Sequence, residues 1–227
     1  KAEGVEDVLS LDEHGDLTAK PIAYFHEEHA DSTRQVTTED GASLTVTPEH
    51  PFLTLQDGVP TWTSADELES GVSIGAPNTF TVDNPESFLP IYDLTDDERQ
   101  RAAYLAGALT GGLDDAPHHL VAQLNHLLDT SFQTTHDLPP ELSQLSSHEE
   151  SLSHANKLRD KRTRAFLDGY TSHHAAQSSE QITYETPPSG HAGLAYLLQR
   201  HGIRPGRGDQ IRVEGRDKAK LESLLHN

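Results

Sequence analysis

The chain has 227 residues, enough for one large or two ordinary domains with a substantial apolar core. It contains no cysteine, so disulfides, zinc–thiolate sites and cysteine nucleophiles are excluded within the sequence. The formal net charge is −20, from 37 acidic against 17 basic residues, and such acidic chains are typical of halophilic proteins. Because there is no apolar run of ~18 residues and no signal-peptide pattern, we expect a soluble, cytoplasmic protein without a membrane partner.

The first part of the sequence predicts short strands separated by turns, and therefore a compact all-β module. The predicted strands are residues 5–11, 21–25, 43–47, 52–55 and 72–74. Residues 64–68 could form one helical turn behind Ser64. Trp62, the only tryptophan, is predicted to lie in the core of this module.

The second part of the sequence predicts mainly helices. Thr95 is a plausible N-cap for a helix over residues 96–113 that ends at Gly111 and Gly112, and residues 119–128 form a second apolar-periodic helix. Residues 130–156 are rich in Ser, His, Thr and Gln and are predicted to be a loose or partly helical connector. Beyond it, helices are predicted at 160–170, 191–201 and 217–225, and strands at 182–185, 204–206 and 210–213.

The charge distribution places a domain boundary between these parts. Residues 1–96 carry 3 basic and 20 acidic side chains, whereas residues 97–227 carry 14 and 17. Together with the proline-bearing stretch at residues 84–90, this shift predicts a β-domain at 1–92 and an α+β domain at 95–227.

One motif in the first part carries a candidate chemistry. Residues 41–54 (Gly-Ala-Ser-Leu-Thr-Val-Thr-Pro-Glu-His-Pro-Phe-Leu-Thr) place Thr47 and His50 three apart, directly after a strand. With Trp62, Leu68, Gly71 and Pro77 downstream, the segment resembles the second motif block of an intein, the self-splicing Hint domain. The resemblance implies that His50 protonates the leaving amide nitrogen during the first acyl shift and that Thr47 orients that peptide. The alternative is that Thr47 merely ends a strand and His50 caps a turn.

Two segments of the second part resemble the motif helices of a LAGLIDADG homing endonuclease. They are residues 103–112 (Ala-Tyr-Leu-Ala-Gly-Ala-Leu-Thr-Gly-Gly) and 164–174 (Arg-Ala-Phe-Leu-Asp-Gly-Tyr-Thr-Ser-His-His). The resemblance implies that Gly107 and Gly169 let two helix backbones approach closely, within αββαββα repeats whose sheets bind DNA. It also implies that each helix delivers one acidic residue to a divalent metal. Little strand-like sequence lies between residues 113 and 161, so the first repeat is expected to be eroded.

The sequence departs from both families at the residues that carry the chemistry. Gly112 and His174 stand where the nuclease acids are expected; glycine offers no ligand, and imidazole suits Mg²⁺ poorly. A local shift that brings Asp114, or Asp115, inward remains a possible rescue. An intein begins with Cys or Ser, whereas residue 1 is Lys, and residues 226–227 (His-Asn) stand where a closing helix is predicted rather than an intein's terminal strand.

The basic residues provide a candidate DNA-binding surface. They are Lys157, Arg159, Lys161, Arg162, Arg164, Arg204, Arg207 and Arg212. They could follow DNA phosphates, or they could be a solvated face that offsets an acidic protein. The histidine pairs at 118–119 and 173–174 are expected at the surface rather than at a metal, because adjacent residues diverge on a helix.

These observations predict an intein-derived chain with a degenerate nuclease domain, inactive in both activities as it stands. Its partners would be host protein flanks (exteins) in cis and double-stranded DNA, with no cofactor for splicing and Mg²⁺ only if the nuclease is active. Two alternatives stay open: an active Mg²⁺-dependent, site-specific endonuclease, and a domesticated module that binds DNA without cleaving it.

Overall fold

The computed structural model describes residues 7–11, 17–24, 29–56, 58–76 and 85–225. The chain divides into two units, Lys1–Phe80 and Thr81–Asn227. The division therefore lies earlier than the boundary near residue 92 that the charge shift predicts. The reason is packing: Phe88 and Leu89 are buried in the core of the second unit, and the Arg99 guanidinium donates a hydrogen bond to the Phe88 carbonyl at 2.7 Å.

The first unit contains three antiparallel hairpins in its described part. They pair β1 (Asp7–Leu11) with β2 (Leu17–Pro21), β3 (Arg34–Thr37) with β4 (Ser43–Val46), and β5 (Pro51–Gln56) with β6 (Val59–Ser64). Gly41 and Gly58 have φ values of 83° and 81°, which suit tight connections in the second and third hairpins. The strand predicted at residues 72–74 is reduced to a single bridge between Ile74 and Thr54.

Three strands of this unit were not predicted where they lie. β2 shares only Pro21 with the strand predicted at residues 21–25, and the described residues 22–24 are not in a strand. β3 has the sequence Arg-Gln-Val-Thr, which carries a single strong apolar strand former, and β6 contains Pro60. Both are explained by their partners, since Arg34–Thr37 pairs in full register with β4 and Val59–Ser64 with β5. The prediction that Trp62 belongs to the core is wrong: it lies opposite Leu53 in the register and is 64% exposed.

The second unit contains six α-helices in its described part. They are α1 (Asp96–Ala108), α2 (His118–Leu128), α3 (His148–Ala155), α4 (Asp160–His174), α5 (Pro188–Arg200) and α6 (Gly215–Leu225). Thr95 caps α1 as predicted, because its hydroxyl accepts from the Glu98 amide while the Glu98 carboxylate accepts from the Thr95 amide.

The connector predicted at residues 130–156 is more ordered than its composition indicates. It holds two 3₁₀ segments, Thr135–Asp137 and Pro140–Ser146, followed by α3. Leu142, Leu145 and Leu152 are buried, and these apolar side chains anchor a segment whose other residues are polar.

Four short strands form the sheet of the second unit. They are β7 (Ala175–Gln177), β8 (Gln181–Tyr184), β9 (Gly206–Arg207) and β10 (Ile211–Glu214), in the antiparallel order β7-β8-β10-β9. Ile211 and Val213 are buried against the helices, while Arg212 between them is exposed on the other face. From α4 to α6 the chain thus runs helix, two strands, helix, two strands, helix.

Candidate functional site

The second unit is organised around a close crossing of α1 and α4. A Cβ atom built on Gly107 would lie 2.0 Å from the Phe166 carbonyl oxygen, and one on Gly169 would lie 1.9 Å from the Tyr104 carbonyl oxygen. No side chain fits at either position, so the two backbones are in contact through both glycines. The prediction that these glycines lie at a helix crossing is confirmed.

Beyond the crossing, position 112 provides no side-chain ligand for a cation. Gly112 has φ of 115°, a conformation that favours glycine, so an aspartate at this position would be strained. The following amide, of Leu113, donates to the Thr135 hydroxyl at 2.8 Å. Position 112 therefore lies in a loop after α1 and not within a helix.

The end of α4 places His174 in a pocket of rings. Its ring centroid lies 4.7 Å from that of Tyr170 and 5.2 Å from that of His148. Burial, together with the neighbouring His148, lowers the pKa of His174 to about 4. Among the described residues, its Nε2 atom is buried without a hydrogen-bond partner. The side chain is a neutral, enclosed imidazole at neutral pH.

A chain of hydrogen-bonded polar groups includes the two rings that His174 contacts. The Tyr170 hydroxyl lies 2.8 Å from His148 Nδ1 and 2.7 Å from the Thr186 hydroxyl, and the Thr186 carbonyl oxygen accepts from His191 Nε2 at 2.9 Å. Burial raises the pKa of Tyr170 and lowers the pKa of His148, so both groups are neutral near pH 7. His148 falls in the segment predicted as a connector, and no sequence signal linked it to Tyr170 or Thr186.

The residues around these helix ends do not fit Mg²⁺. Gly112 has no side-chain donor, and His174 offers a nitrogen where the ion prefers oxygen. Asp114 is exposed and accepts a hydrogen bond from the Thr135 amide at 3.3 Å. Within the described parts of the chain, no group of three or more His, Asp or Glu side chains is arranged to hold a metal ion.

Thr47 and His50 lie on the turn that joins β4 to β5. The His50 amide donates to the Thr47 carbonyl at 3.1 Å, and the Ala65 amide donates to the His50 carbonyl at 2.9 Å. The Thr47 hydroxyl lowers the pKa of the Glu49 carboxyl by hydrogen bonding to it. The His50 ring is exposed and packs edge-to-face on Phe52 at 5.3 Å, so its nitrogens are accessible to a reacting group.

The predicted basic residues do not form one continuous surface. Arg162 is buried and its guanidinium pairs with Asp96 at 2.6 Å, so it is not available to DNA, and Lys157 lies 3.6 Å from Glu86. Arg207 is half-buried on β9. The remaining predicted basic residues are exposed: Arg159, Lys161, Arg164, Arg204 and Arg212. The histidine pairs behave partly as predicted, since His118, His119 and His173 are exposed and only His174 is enclosed.

Comparison with known proteins gives one partial similarity. No family model matches the chain. An 85-residue segment, 37% of this chain, is 33% identical to "Replication factor C small subunit" of Pyrococcus furiosus. That segment covers only 9% of the relative, so the chain spans a small fraction of the length of the protein it matches.

None of the helices in the described ranges is long and apolar enough to cross a membrane.

Proposed function

We propose that this chain is intein-derived, with a first unit from a Hint splicing domain and a second unit from a LAGLIDADG homing endonuclease that no longer cleaves DNA. The observation that carries the proposal is the α1–α4 crossing, in which Gly107 and Gly169 each contact the opposite helix backbone. The LAGLIDADG resemblance implies such a crossing from the same two residues.

The order of elements supports the same family. The resemblance implies αββαββα repeats, and α4 to α6 follow that order around one four-stranded sheet. Between α1 and α4 the described chain contains helices and 3₁₀ segments but no strand, as an eroded first repeat would. The partial match to a much longer replication protein agrees with an element inserted into a host, although a shared short domain would give the same coverage.

Loss of cleavage follows from the two helix ends. A LAGLIDADG nuclease needs an acid on each helix, and here a turn glycine and an enclosed neutral histidine stand in those places. Asp114 is engaged by the Thr135 amide, so the rescue by a shifted acid would require that turn to rearrange.

In the splicing unit, the geometry of the β4–β5 turn suits a general acid. His50 is held at the backbone by Ala65 and leaves its ring exposed, while Thr47 lies beside it. In a complete intein, His50 would give its proton to the amide nitrogen that leaves as the upstream acyl group transfers. Thr47 would orient that peptide.

The test is expression of the coding sequence together with its genomic flanks and a different tag at each end. We expect a ligated product that carries both tags, and we expect His50→Ala to accumulate precursor. His29→Ala is the matched control, since His29 is an exposed histidine of the same unit outside the turn. Unspliced precursor from the native frame, unchanged by His50→Ala, would overturn the intein assignment.

A second assay distinguishes an inactive nuclease domain from an active one. Duplex DNA of the uninterrupted host gene is incubated with the chain and Mg²⁺, and we expect no cleavage. Cleavage that disappears in Asp114→Asn would instead establish the active nuclease.

A domesticated DNA-binding module is the second candidate, favoured by the outer face of the sheet. Arg212 is exposed there and lies opposite Thr183 and Gly206 in the register. Neutralising one phosphate contact lowers the salt slope of binding by about 1. We expect this slope to fall in Arg212→Gln and not in Lys218→Gln, which removes a charge from α6 instead. Equal slopes in both variants would exclude the sheet face as the DNA-binding surface.

A further inference from the structure

A basic cavity lies on the helical side of the second unit. It has a volume of about 550 Å³ and is lined by Arg164 of α4, by His201 after α5, and by α6. The α6 residues are Arg216, Ala219, Lys220, Ser223 and Leu224. Its size falls in the range of small-molecule sites, roughly 300–1,000 Å³.

The charge of this cavity is opposite to that of the chain. Three cationic side chains line it, and no carboxylate is among its described lining residues, although acidic residues outnumber basic ones 37 to 17 in the sequence. Of the three cations, Lys220 is partly engaged, since it lies 3.3 Å from Asp217 and also donates to the Gly202 carbonyl at 2.9 Å. Like charges gathered in one cavity repel each other, and a bound anion would relieve that repulsion.

His201 adds a second, independent observation. Its Nε2 atom is buried, with no hydrogen-bond partner among the described residues. Burial lowers the pKa of His201 to about 4, and the charges of Arg200 and Arg164 contribute in the same direction. The neutral imidazole adds no charge to the empty site, and an anion bound beside it would favour its protonation.

This cavity is separate from the sheet face discussed above. Its lining comes from helices and the turn after α5, whereas Arg212 points to the opposite face of the sheet from buried Ile211 and Val213. Arg164 therefore lies in the helical cavity and not on the sheet face that contains Arg212.

We propose that this cavity binds a phosphoryl group, held by Arg164, Arg216 and Lys220 beside the neutral His201. Guanidinium groups match phosphate oxygens in a planar, bidentate geometry, and charge-assisted hydrogen bonds are the strong ones. The ligand is free phosphate or a phosphate monoester. An adjoining cavity shares Arg164 and Leu224 and contains Tyr104, so it would receive the rest of an ester.

The experiment titrates the intact chain with inorganic phosphate and with AMP, at ionic strength held constant with chloride, and follows His201 by NMR. We expect saturable binding and a rise in the His201 pKa from about 4, because a neighbouring anion favours imidazolium. Tighter binding of AMP identifies an ester as the ligand, and equal or tighter binding of phosphate identifies the free ion. Adenosine, which lacks the phosphoryl group, should not bind.

Variants of the same helix decide whether the cavity is responsible. We expect Arg164→Gln and Arg216→Gln each to weaken binding about tenfold or more, since each removes a charge-assisted contact. Arg216→Lys should retain part of the binding affinity. Lys218→Gln, which changes a residue of α6 outside the cavity, should leave the affinity unchanged. The proposal would be overturned if neither probe binds saturably, or if Lys218→Gln weakens binding as much as the arginine variants do. Neither result would bear on the intein assignment.

Discussion

The two units of this protein bury their apolar side chains to different degrees. In the second unit, residues from all six helices and from the sheet form one core, with Leu105, Leu124, Leu167 and Leu198 essentially inaccessible to solvent. Among the first-unit residues whose side-chain burial the structure describes (8, 10, 20–24, 29–55 and 58–76), Val46 and Ala65 are the only buried apolar residues, alongside Thr54 and Thr63. Larger apolar side chains there, including Leu55, Val59 and Trp62, are more than half exposed.

The difference teaches what stabilises each unit. Hairpins are maintained by ladder hydrogen bonds and cross-strand pairs, each contributing on the order of 1 kcal/mol or less. A helical core gains ~25 cal/mol for each Å² of apolar surface removed from water. We therefore expect the second unit to be the more stable, and the first to open at lower denaturant concentration.

The largest expected effect is at the helix crossing. In Gly107→Ala, the added methyl would meet the Phe166 carbonyl oxygen at 2.0 Å, so the helices must separate along their whole contact. Overpacking costs about 1–3 kcal/mol in ordinary cores, and a clash with backbone should cost about 3 kcal/mol or more. Urea unfolding followed by far-UV circular dichroism measures the change.

The matched control for that variant is Gly208→Ala, where an added methyl meets nothing within 4 Å. Its unfolding midpoint should stay close to that of the wild type. If the two variants unfold at the same urea concentration, α1 and α4 do not pack through their glycines and the stability of the second unit has another source.

The next effect concerns a buried charge. Arg200 has a guanidinium that donates to the Asn156 and Leu158 carbonyls at 2.7 and 3.1 Å and pairs with Asp160 at 2.6 Å. In Arg200→Met these acceptors lose their donor, and we expect the free energy of unfolding to fall by about 2–4 kcal/mol. Arg204→Met, at an exposed arginine four residues later, should change it by less than about 0.5 kcal/mol. Similar losses in both variants would mean that the buried network contributes nothing of its own.

The sequence predicted the second unit better than the first, for a physical reason. Thr95 acts through a local rule, a helix cap, which appears directly in the sequence, whereas the crossing at Gly107 and Gly169 was expected from the family resemblance. Apolar periodicity predicted three further helices, at residues 119–128, 191–201 and 217–225. The observed helices begin and end within a few residues of these bounds. Strands β3 and β6 depend on partners elsewhere in the chain, which periodicity does not record.

The candidate site was predicted in part. Position 174 was identified by its distance from Gly169, but the environment of His174 was not, because His148 and Thr186 come from other elements. Trp62 was assigned to the core because tryptophan is usually buried, yet this unit has too little apolar mass around it. Arg162 was included among the candidate DNA-binding residues because a run of basic residues does not reveal that one of them pairs with Asp96.

The enclosed histidine predicts a pH dependence of the second unit. The pKa of His174 is about 4 in the folded chain against 6.5 in the unfolded chain. The unfolded state therefore binds more protons between these values, and the stability present above pH 6.5 is lost as the pH falls toward 4. The shift corresponds to at most about 3 kcal/mol, reduced by the partial exposure of the ring.

Thermal unfolding at pH 7, 6, 5 and 4.5 measures this dependence. In His174→Gln we expect a smaller loss of stability across the window, and in His173→Gln, at the exposed neighbour, the wild-type loss. A pH profile that is identical in all three proteins would mean that His174 is solvated in the folded state. His201 has a similarly lowered pKa, so a residual slope is expected in His174→Gln.

The smallest effect is expected in the first unit, at Trp62. Because this side chain is 64% exposed, Trp62→Thr should cost less than about 0.5 kcal/mol, mainly the cross-strand contact with Leu53. Val46→Ala removes one of the few buried side chains of the same unit and should cost about 1–2 kcal/mol. Limited proteolysis with mass spectrometry, read as the rate of cleavage within residues 29–76, compares the two without requiring the tryptophan as a probe. If Trp62→Thr accelerates cleavage as much as Val46→Ala does, the indole is packed in solution. The first unit would then have a core of its own, and the contrast between the two units would disappear.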